Sequence, residues 1–395
     1  MAARRSTGQR GRRIAILRAL DVPAGEDVLN LLPAVERMLS GKPDAVLPVP
    51  AWDARESGVL TTGLGVGEAI DDDVALVVST SGTTGVPKGA MLTAAALRAS
   101  ASATHARLGG PGQWLLALPA HHIAGLQVLI RSALAGTTPV VLDVSSGFDA
   151  SCLARAIGAM GPGRRYVSLV ATQLAKALSD PAAAAALASL DAVLIGGGPI
   201  PGRVAESASA ARIPVVRTYG MSETAGGCVY DWVALDGVLV RVDGGRVVLG
   251  GAPLAKGYRN PSWPNPFAEP GWFATDDAGS LDADGVLTVH GRLDGAIGTG
   301  GLTVLPEVVE AVIARHPAVG QCAVFGVPDD RLGQRVVAAV VPASVDDPPS
   351  LAQLRDHVAE SLDATAAPRE LHLVDELPVR GIGKVDRQAL TERFS

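Results

Sequence analysis

The stretch STSGTTGVPKGAM (residues 79–91) directly follows the apolar run VALVV (74–78). Glycines and hydroxyl side chains make up most of it, and Lys88 is its one charged residue. A buried strand that enters such a turn and then a helix directs backbone N–H groups and an electropositive helix end toward one point, which favours anion binding. The stretch therefore predicts a phosphate-binding loop.

Two other interpretations of this stretch are weaker. The P-loop NTPase pattern G-x-x-x-x-G-K-[ST] fails when it is counted from Gly82, because Pro87 replaces its second glycine and Gly89 replaces its Ser/Thr. A plain flexible surface loop is the remaining alternative, but it gives no reason for so many small and hydroxyl residues beside a lysine.

From Val74 as far as residue 217, short apolar runs alternate with alanine-rich helical segments. This alternation predicts βαβ units and a mostly parallel sheet. After Tyr230, short strands joined by Gly and Asp turns predict a small antiparallel β region. We expect an α/β chain with a large N-terminal domain (14–293), in which helices flank the sheets, and a mobile α+β C-terminal domain (294–395).

Composition excludes several classes of function. The chain has 395 residues and a net charge of −6, which argues against a nucleic-acid partner. We expect the basic segment 1–13 to be a solvated, disordered tail rather than a nucleic-acid-binding arm. No apolar run reaches the ~18 residues of a membrane span, and no signal-peptide core follows the arginines, so a cytoplasmic location is expected. The three cysteines lack metal-ligand spacing, and we expect reduced thiols.

The phosphate-loop stretch, extended to STSGTTGVPKGAML, resembles the signature of the adenylate-forming superfamily, which includes acyl-CoA synthetases, peptide-synthetase adenylation domains and luciferases. Other signatures of that superfamily follow in order. They are IGGGPI (195–200), TYGMSET (218–224), GWFATDDAG (271–279), GRLDGAIGTGGLTVLPEVVE (291–310) and PVRGIGKVDR (378–387). The resemblance covers nearly the whole chain and implies the fold of that superfamily, with a C-terminal domain that rotates.

The resemblance also implies a binding site for ATP and Mg²⁺. Tyr219 would pack beside adenine, Asp277 would hold the ribose hydroxyls, and Glu223 would coordinate the metal, a task that suits a carboxylate. The residues implied to bind nucleotide are Ser79, Thr80, Ser81, Gly82, Thr83, Thr84, Lys88, Gly197, Gly198, Pro199, Tyr219, Gly220, Asp277 and Arg292. Asp276 replaces the usual glycine before Asp277, so the sequence does not predict the conformation of this turn.

A two-step reaction is implied, in which a carboxylic acid is first adenylated and CoA then displaces AMP. Lys384 would be the catalytic lysine, with Ser222, Glu223 and His122 also at the reaction centre. Asp294 would be the hinge, and Gly295 replaces the second Asp of that signature. After rotation, Gly300 and Gly301 would lie beside the CoA arm.

The acid-binding end is indicated by PAHHIAGL (119–126), which aligns with the P-L-F-H-x-x-G-L pattern of the superfamily. Peptide-synthetase domains carry an Asp here to pair the substrate ammonium, whereas this chain has His122 and no acidic residue until Asp143. An unpaired buried ammonium is costly, so we expect an anionic or aromatic carboxylic acid rather than an amino acid. A purely structural role for His121 stays open.

The run LPAHHIAGLQVLIRSALAG, together with VSLVATQL, resembles the o-succinylbenzoate–CoA ligase family of menaquinone biosynthesis in its short actinobacterial form. That family commonly has Pro where this chain has Ala171. By resemblance, the acid would be lined by His121, His122, Ser168, Thr172 and Thr224. Another aryl- or acyl-CoA synthetase and an inactive nucleotide-binding homologue are the alternatives, and a homo-oligomer stays open.

Overall fold

The computed structural model describes residues 15–41, 45–80, 87–380 and 384–395, with Arg380 and Lys384 described by their backbone only. The basic segment 1–13 lies outside these residues, as do four predicted phosphate-loop residues: Ser81, Gly82, Thr83 and Thr84. The α-helices of the described residues are α1 (Leu32–Leu39), α2 (Ala54–Gly63), α3 (Ala94–Arg107), α4 (Ile123–Ala135), α5 (Leu153–Gly158), α6 (Ala171–Leu178), α7 (Pro181–Ala188), α8 (Gly202–Ala210), α9 (Pro306–Ile313), α10 (Leu351–Ala359) and α11 (Arg387–Phe394).

The strands form three sheets in the first three quarters of the chain and further sheets after them. They are β1 (Ala15–Val22), β2 (Ala45–Pro50), β3 (Ala69–Ile70), β4 (Val74–Val78), β5 (Ala90–Thr93), β6 (Gln113–Leu116), β7 (Val140–Val141), β8 (Arg165–Val170), β9 (Ala192–Gly196), β10 (Val215–Met221), β11 (Gly226–Tyr230), β12 (Val233–Ala234), β13 (Val238–Asp243), β14 (Arg246–Gly251), β15 (Trp272–Leu281), β16 (Leu287–Arg292), β17 (Ile297–Thr299), β18 (Leu302–Val304), β19 (Val319–Asp329), β20 (Gly333–Pro342), β21 (Glu370–Leu373), β22 (Val379–Arg380) and β23 (Lys384–Val385).

The first sheet has the strand order β3-β1-β2-β4-β5, with β1, β2 and β4 parallel. Strand β4 is the apolar run that precedes the phosphate loop, and all five of its residues are buried. Sequence reasoning did not find β1 and β2. Arg18 and Asp21 interrupt the apolar pattern of β1, because only part of that strand is buried.

The second sheet has the order β12-β11-β10-β9-β8-β6-β7. Strands β6 to β10 pair in parallel and β11 and β12 pair antiparallel, which confirms the mostly parallel sheet. Separate apolar clusters cover its two faces, one centred on α3 and α4 and the other on α5 to α8. Strand β7 has two residues, fewer than the run 139–144 predicts.

Strands β13 to β16 form a four-stranded antiparallel sheet, as predicted for the region after Tyr230. The C-terminal residues build a separate sheet in the order β18-β17-β20-β19, with β21 beside β20 and an apolar core shared with α9 and α10. This arrangement is the expected α+β unit. Strand β16 ends at Arg292 and β17 begins at Ile297 in the other sheet, and the exact domain limits stay a prediction.

Candidate functional site

Many of the predicted site residues lie where parallel strands of the first two sheets end. Ser79 follows β4, the histidine pair follows β6, Ser168 to Thr172 close β8, Gly197 to Pro199 follow β9, and Tyr219 to Thr224 close β10. Because parallel strands share one carboxyl edge, residues that are distant in sequence converge there. Gly197, Gly198 and Pro199 are exposed at this edge, and Gly197 has a φ of 82°.

The YG pair of TYGMSET sits at an irregularity in the sheet. The pairing of β10 with β11 shifts register between Tyr219 and Gly220. A Cβ on Gly220 would lie 2.2 Å from the carbonyl oxygen of Gly226, so the close approach of the two strands requires glycine here. The bulge redirects the chain after Tyr219 into the short 3-10 helix Ser222–Thr224.

Tyr219 meets the predicted ribose-binding carboxylate. Its hydroxyl donates a 2.6 Å hydrogen bond to Asp277 Oδ2, and Arg292 Nη1 lies 3.6 Å from Asp277 Oδ1. Asp277 is only 7% exposed. Burial raises the pKa of this carboxyl, while the hydrogen bond from Tyr219 and the charge of Arg292 oppose the rise. Three residues from three predicted signatures therefore form one cluster.

Asp294, the predicted hinge residue, is joined to the same cluster. Arg292 makes two hydrogen bonds to the Asp294 carboxylate, at 2.8 and 2.6 Å. These bonds, set against partial burial, lower the pKa of Asp294. The substitution of glycine by Asp276 does not disturb the turn, because Asp276 lies within β15 with an ordinary negative φ and pairs with Arg246 at 3.2 Å.

The predicted metal ligand, Glu223, is 6% exposed and accepts a 2.5 Å hydrogen bond from the Tyr258 hydroxyl. Burial raises the pKa of Glu223, and the hydrogen bond from Tyr258 and the nearby Lys88 and Arg292 charges counter this effect. Lys88 Nζ also lies 5.5 Å from the centre of the Tyr258 ring. Sequence reasoning missed Tyr258, because it lies 35 residues from Glu223 and no sequence pattern links the two residues.

The donor set suits Mg²⁺ delivered with a nucleotide. A carboxylate is a hard oxygen ligand, and Mg²⁺ is commonly held by one or two carboxylates plus substrate phosphates. Among the residues that the structure describes, no group of three or more His, Cys, Asp or Glu could hold a metal by itself. As a single buried carboxylate, Glu223 fits the metal as one ligand of a shell that substrate phosphates would share.

The histidine pair follows β6 and begins α4, with His122 at the N-cap. The rings of His121 and His122 lie 4.1 Å apart, and Trp52 meets His121 edge-on at 5.3 Å. His121 is 7% exposed, and its Nδ1 has no hydrogen-bond partner within the described ranges. Burial, and then the neighbouring His122, lower the pKa of His121 to about 3, so this imidazole is neutral near pH 7.

An acidic residue does lie beside this pair, although none is near it in sequence. Glu56 Oε1, on α2, lies 4.0 Å from His121 Nε2 in the loop after β6. The expectation that no acidic residue lies near the histidine pair, which considered only residues up to Asp143 along the chain, was therefore wrong. Glu56 keeps considerable exposure, and burial together with Asp53 raises its pKa.

The remaining predicted acid-lining residues differ in what their side chains contact. Ser168 is buried near the end of β8, and Thr172 is exposed in the first turn of α6. The Thr224 hydroxyl donates to Gly226 O at 2.8 Å and accepts from Met221 N at 3.0 Å, so it supports the turn after β10. Ala171 begins α6 without the proline of the related family, so the helix start is retained.

Lys384 lies in the hairpin of β22 and β23, where its backbone pairs with Arg380. Its predicted side-chain role falls outside the described part of the chain. Arg387, the first residue of α11, follows this hairpin and contacts α9, with Nη2 at 2.8 Å from Glu310 and 3.1 Å from Glu307. Gly300 and Gly301, the predicted CoA-side residues, form the exposed turn between β17 and β18 with φ values of 58° and 81°.

Comparison with known proteins supports the same reading. Residues 21–257 match the AMP-binding enzyme family, and residues 308–384 match the AMP-binding enzyme C-terminal domain. A Mycobacterium tuberculosis protein described as "Probable 2-succinylbenzoate--CoA ligase" is 66% identical over 96% of this chain and 99% of its own. The 2-succinylbenzoate–CoA ligase of Bacillus licheniformis is 33% identical over 81% of this chain and 70% of its own.

Solved structures are similar over most of the chain. The o-succinylbenzoate CoA synthetase of Bacillus subtilis, in complex with ATP and magnesium ion, has a TM-score of 0.77 at 25% identity, covering 95% of this chain and 89% of that one. The ATP-bound MatB of Rhodopseudomonas palustris has a TM-score of 0.81 at 23% identity, covering 98% and 90%, and shows the fold. No helix in the described ranges has the length and apolar character to cross a bilayer.

Proposed function

Because the chain belongs to the AMP-binding enzyme family, we propose that it is an ATP-dependent ligase that joins o-succinylbenzoate (2-succinylbenzoate) to CoA in menaquinone biosynthesis. The observation that carries the proposal is the 66% identity to the Mycobacterium tuberculosis protein along almost all of both chains. The burial of Asp277 and Glu223, each of which accepts a hydrogen bond from a tyrosine hydroxyl, supports the same chemistry.

In the first half-reaction, a carboxylate oxygen of the acid attacks the α-phosphorus of ATP and the bond to pyrophosphate breaks. Such a reaction depends on positioning and on stabilising negative charge. Asp277, held by Tyr219, would accept hydrogen bonds from the ribose, and Lys88 would face the phosphates from the loop. Lys384 would bridge the acid and the α-phosphate. Mg²⁺, when bound at Glu223, offsets the charge of the phosphates.

In the second half-reaction, the CoA thiol attacks the acyl carbonyl and AMP leaves. Rotation about Asp294 would withdraw Lys384 and bring the Gly300–Gly301 turn toward the thiol. The exposure of that turn and the pairing of Arg292 with Asp294 support this role. The rotation would let Lys384 serve the first step and the Gly300–Gly301 turn serve the second at the same reaction centre.

The acid end would recognise the second carboxylate of the substrate through neutral donors. His121 is uncharged near neutral pH, and its Nδ1 has no partner among the described residues, so it can donate one hydrogen bond without carrying a cation. His122, Ser168 and Thr172 lie at neighbouring strand ends and would supply further polar groups. Trp52 adds an aromatic surface beside His121 that suits a benzoate ring.

The proposal is tested by acid-dependent exchange of labelled pyrophosphate into ATP, which reports the first half-reaction alone. Wild-type protein would be given o-succinylbenzoate, benzoate, 4-phenylbutanoate, octanoate and several amino acids in parallel. The expected result is the fastest exchange with o-succinylbenzoate. Faster exchange with another acid would assign a different aryl- or acyl-CoA synthetase. Absence of exchange with every acid, with ATP still bound, would identify an inactive homologue.

A further inference from the structure

Tyr258 belongs to no predicted signature, yet its hydroxyl makes a 2.5 Å hydrogen bond to the buried Glu223 carboxylate. Its ring faces the Lys88 ammonium and meets the edges or faces of Phe267 and Phe273 at 5.3 and 6.5 Å. One side chain therefore contacts both the predicted metal ligand and the lysine of the phosphate loop.

The backbone around Tyr258 is fixed on both sides. Ala255 N donates to Glu223 O at 2.8 Å, which joins the segment to the 3-10 helix that carries the carboxylate. On the other side, Met91 N donates to Gly257 O at 2.9 Å and Arg259 N donates to Gly89 O at 2.8 Å. The segment 255–259 thus bridges the two places between which a nucleotide's phosphates would lie.

The residue after this bridge reinforces it. Asn260 N donates to Lys88 O at 3.1 Å, and Asn260 Nδ2 donates to Pro87 O at 2.7 Å. These bonds hold the described end of the phosphate loop against the segment that carries Tyr258. The backbone that carries Tyr258 is therefore held in place by hydrogen bonds to both neighbouring segments.

We propose that Tyr258 is a positioning residue for Glu223, whose hydroxyl holds the carboxylate in the orientation that receives the metal of a metal–nucleotide complex. A carboxylate on a two-carbon stem can adopt several rotamers, and only some aim an oxygen at the phosphates. The hydrogen bond uses one part of the acceptor capacity of the carboxylate and leaves the rest for the metal. Tyr258 acts through Glu223 and does not touch substrate.

This inference rests on the proposed ATP-dependent function. Tyr258→Phe removes the hydroxyl but keeps the ring, so the contacts with Lys88 and the phenylalanines remain. Tyr166→Phe is the matched control, because it also removes a hydrogen-bonding tyrosine hydroxyl, one that donates to the backbone carbonyls of Leu108 and Gly110 away from the site. Binding of ATP to each protein would be measured by calorimetry with Mn²⁺ and with EDTA, and bound Mn²⁺ by electron paramagnetic resonance.

The expected result is that Tyr258→Phe weakens Mn²⁺–ATP binding about tenfold, the usual effect of one hydrogen bond to a charged group. Binding of metal-free ATP stays within about twofold, and Tyr166→Phe changes neither. Equal weakening with and without metal, or none in either condition, overturns the inference. Wild-type protein that binds ATP no better with Mn²⁺ than with EDTA would instead overturn the proposed function.

A double-mutant cycle covers the case in which Tyr258→Phe folds poorly. If Tyr258 acts through Glu223, the change Tyr258→Phe has no further effect on Mn²⁺–ATP binding once Glu223→Gln is present. Additive losses in that cycle, or a parallel fall in melting temperature that accounts for the lost binding, would show a merely structural tyrosine.

Discussion

At the nucleotide end of the candidate site, each buried carboxylate is paired with a tyrosine hydroxyl, whereas at the acid end a buried imidazole packs against an indole. Asp277 and Glu223 accept hydrogen bonds from Tyr219 and Tyr258, and cations lie nearby. His121 instead packs against Trp52 and remains neutral. The comparison teaches that buried carboxylates are concentrated where phosphates and a metal would bind, whereas the carboxylate at the acid end, Glu56, stays partly exposed beside a neutral imidazole.

Loss of Lys384 should produce the largest effect and should separate the two half-reactions. Lys384→Ala is expected to slow acid-dependent pyrophosphate exchange by roughly 10²–10³-fold or more, because it removes charge stabilisation at the reacting phosphate. Thioester formation from supplied acyl-adenylate should stay close to wild type. Lys176→Ala, an exposed lysine on α6, is the control. Equal losses in both half-reactions would contradict the assigned role.

At the nucleotide end, Asp277→Asn should raise the KM for ATP by roughly 10- to 100-fold, since the carboxylate proposed to bind the ribose is lost. The KM for the acid should change little. Steady-state kinetics with each substrate varied in turn measures both values. Asp243→Asn, an exposed carboxylate paired with Arg241, supplies the comparison. A rise in the KM for the acid alone would contradict the proposal that Asp277 lies at the nucleotide end of the site.

At the acid end, His121→Phe should raise the KM for o-succinylbenzoate by about five- to tenfold and leave the KM for ATP unchanged, because one neutral hydrogen bond is lost. Phenylalanine is the residue of the superfamily pattern at this position, so the ring packing is retained. An unchanged acid KM would favour a structural role for His121, and initial-rate kinetics on both substrates decides the matter.

The same substitution should alter the pH dependence of stability. The pKa of His121 is about 3 in the folded protein against 6.5 for an ordinary histidine. Between these values the unfolded chain binds more protons, so stability falls as the pH drops below about 6.5. The loss of Tm from about pH 7.5 to about pH 5 should therefore be smaller in His121→Phe than in wild type. Equal losses in calorimetric scans would contradict the burial of a neutral imidazole.

The smallest effect is expected for Asp276→Gly, which restores the usual residue of the superfamily. The side chain of Asp276 is 52% exposed and pairs with Arg246 at 3.2 Å and with Arg292 at 3.7 Å, and such surface pairs contribute under about 1 kcal/mol each. Denaturant unfolding should show a change within that limit, and kcat/KM for ATP should stay within about twofold. A larger kinetic change would mean that the 3.7 Å contact of Asp276 with Arg292 contributes to nucleotide binding.

Sequence reasoning was strongest where one short segment supplies both the fold and the chemistry. The parallel sheet, the antiparallel region and the α+β C-terminal unit were predicted correctly, as was the family. Tyr219, Asp277 and Arg292 were placed in one site by separate signatures, and the structure brings them together. Their roles toward substrate stay predictions.

Contacts made only by the tertiary fold were not predictable. Strand β1 was missed because Arg18 and Asp21 interrupt its apolar pattern, and Glu56 was missed because the first sheet brings it to His121 from a distant part of the chain. Tyr258 was missed for the same reason. These features depend on how distant segments of the chain pack together, and a local sequence pattern does not encode that packing.

The most direct test of the central claim is to incubate wild-type protein with ATP, Mg²⁺, CoA and o-succinylbenzoate and to identify every product by mass spectrometry. The account predicts one o-succinylbenzoyl-CoA and one AMP for each ATP consumed, with release of pyrophosphate. Formation of ADP in place of AMP, or consumption of ATP without a CoA thioester, would contradict it.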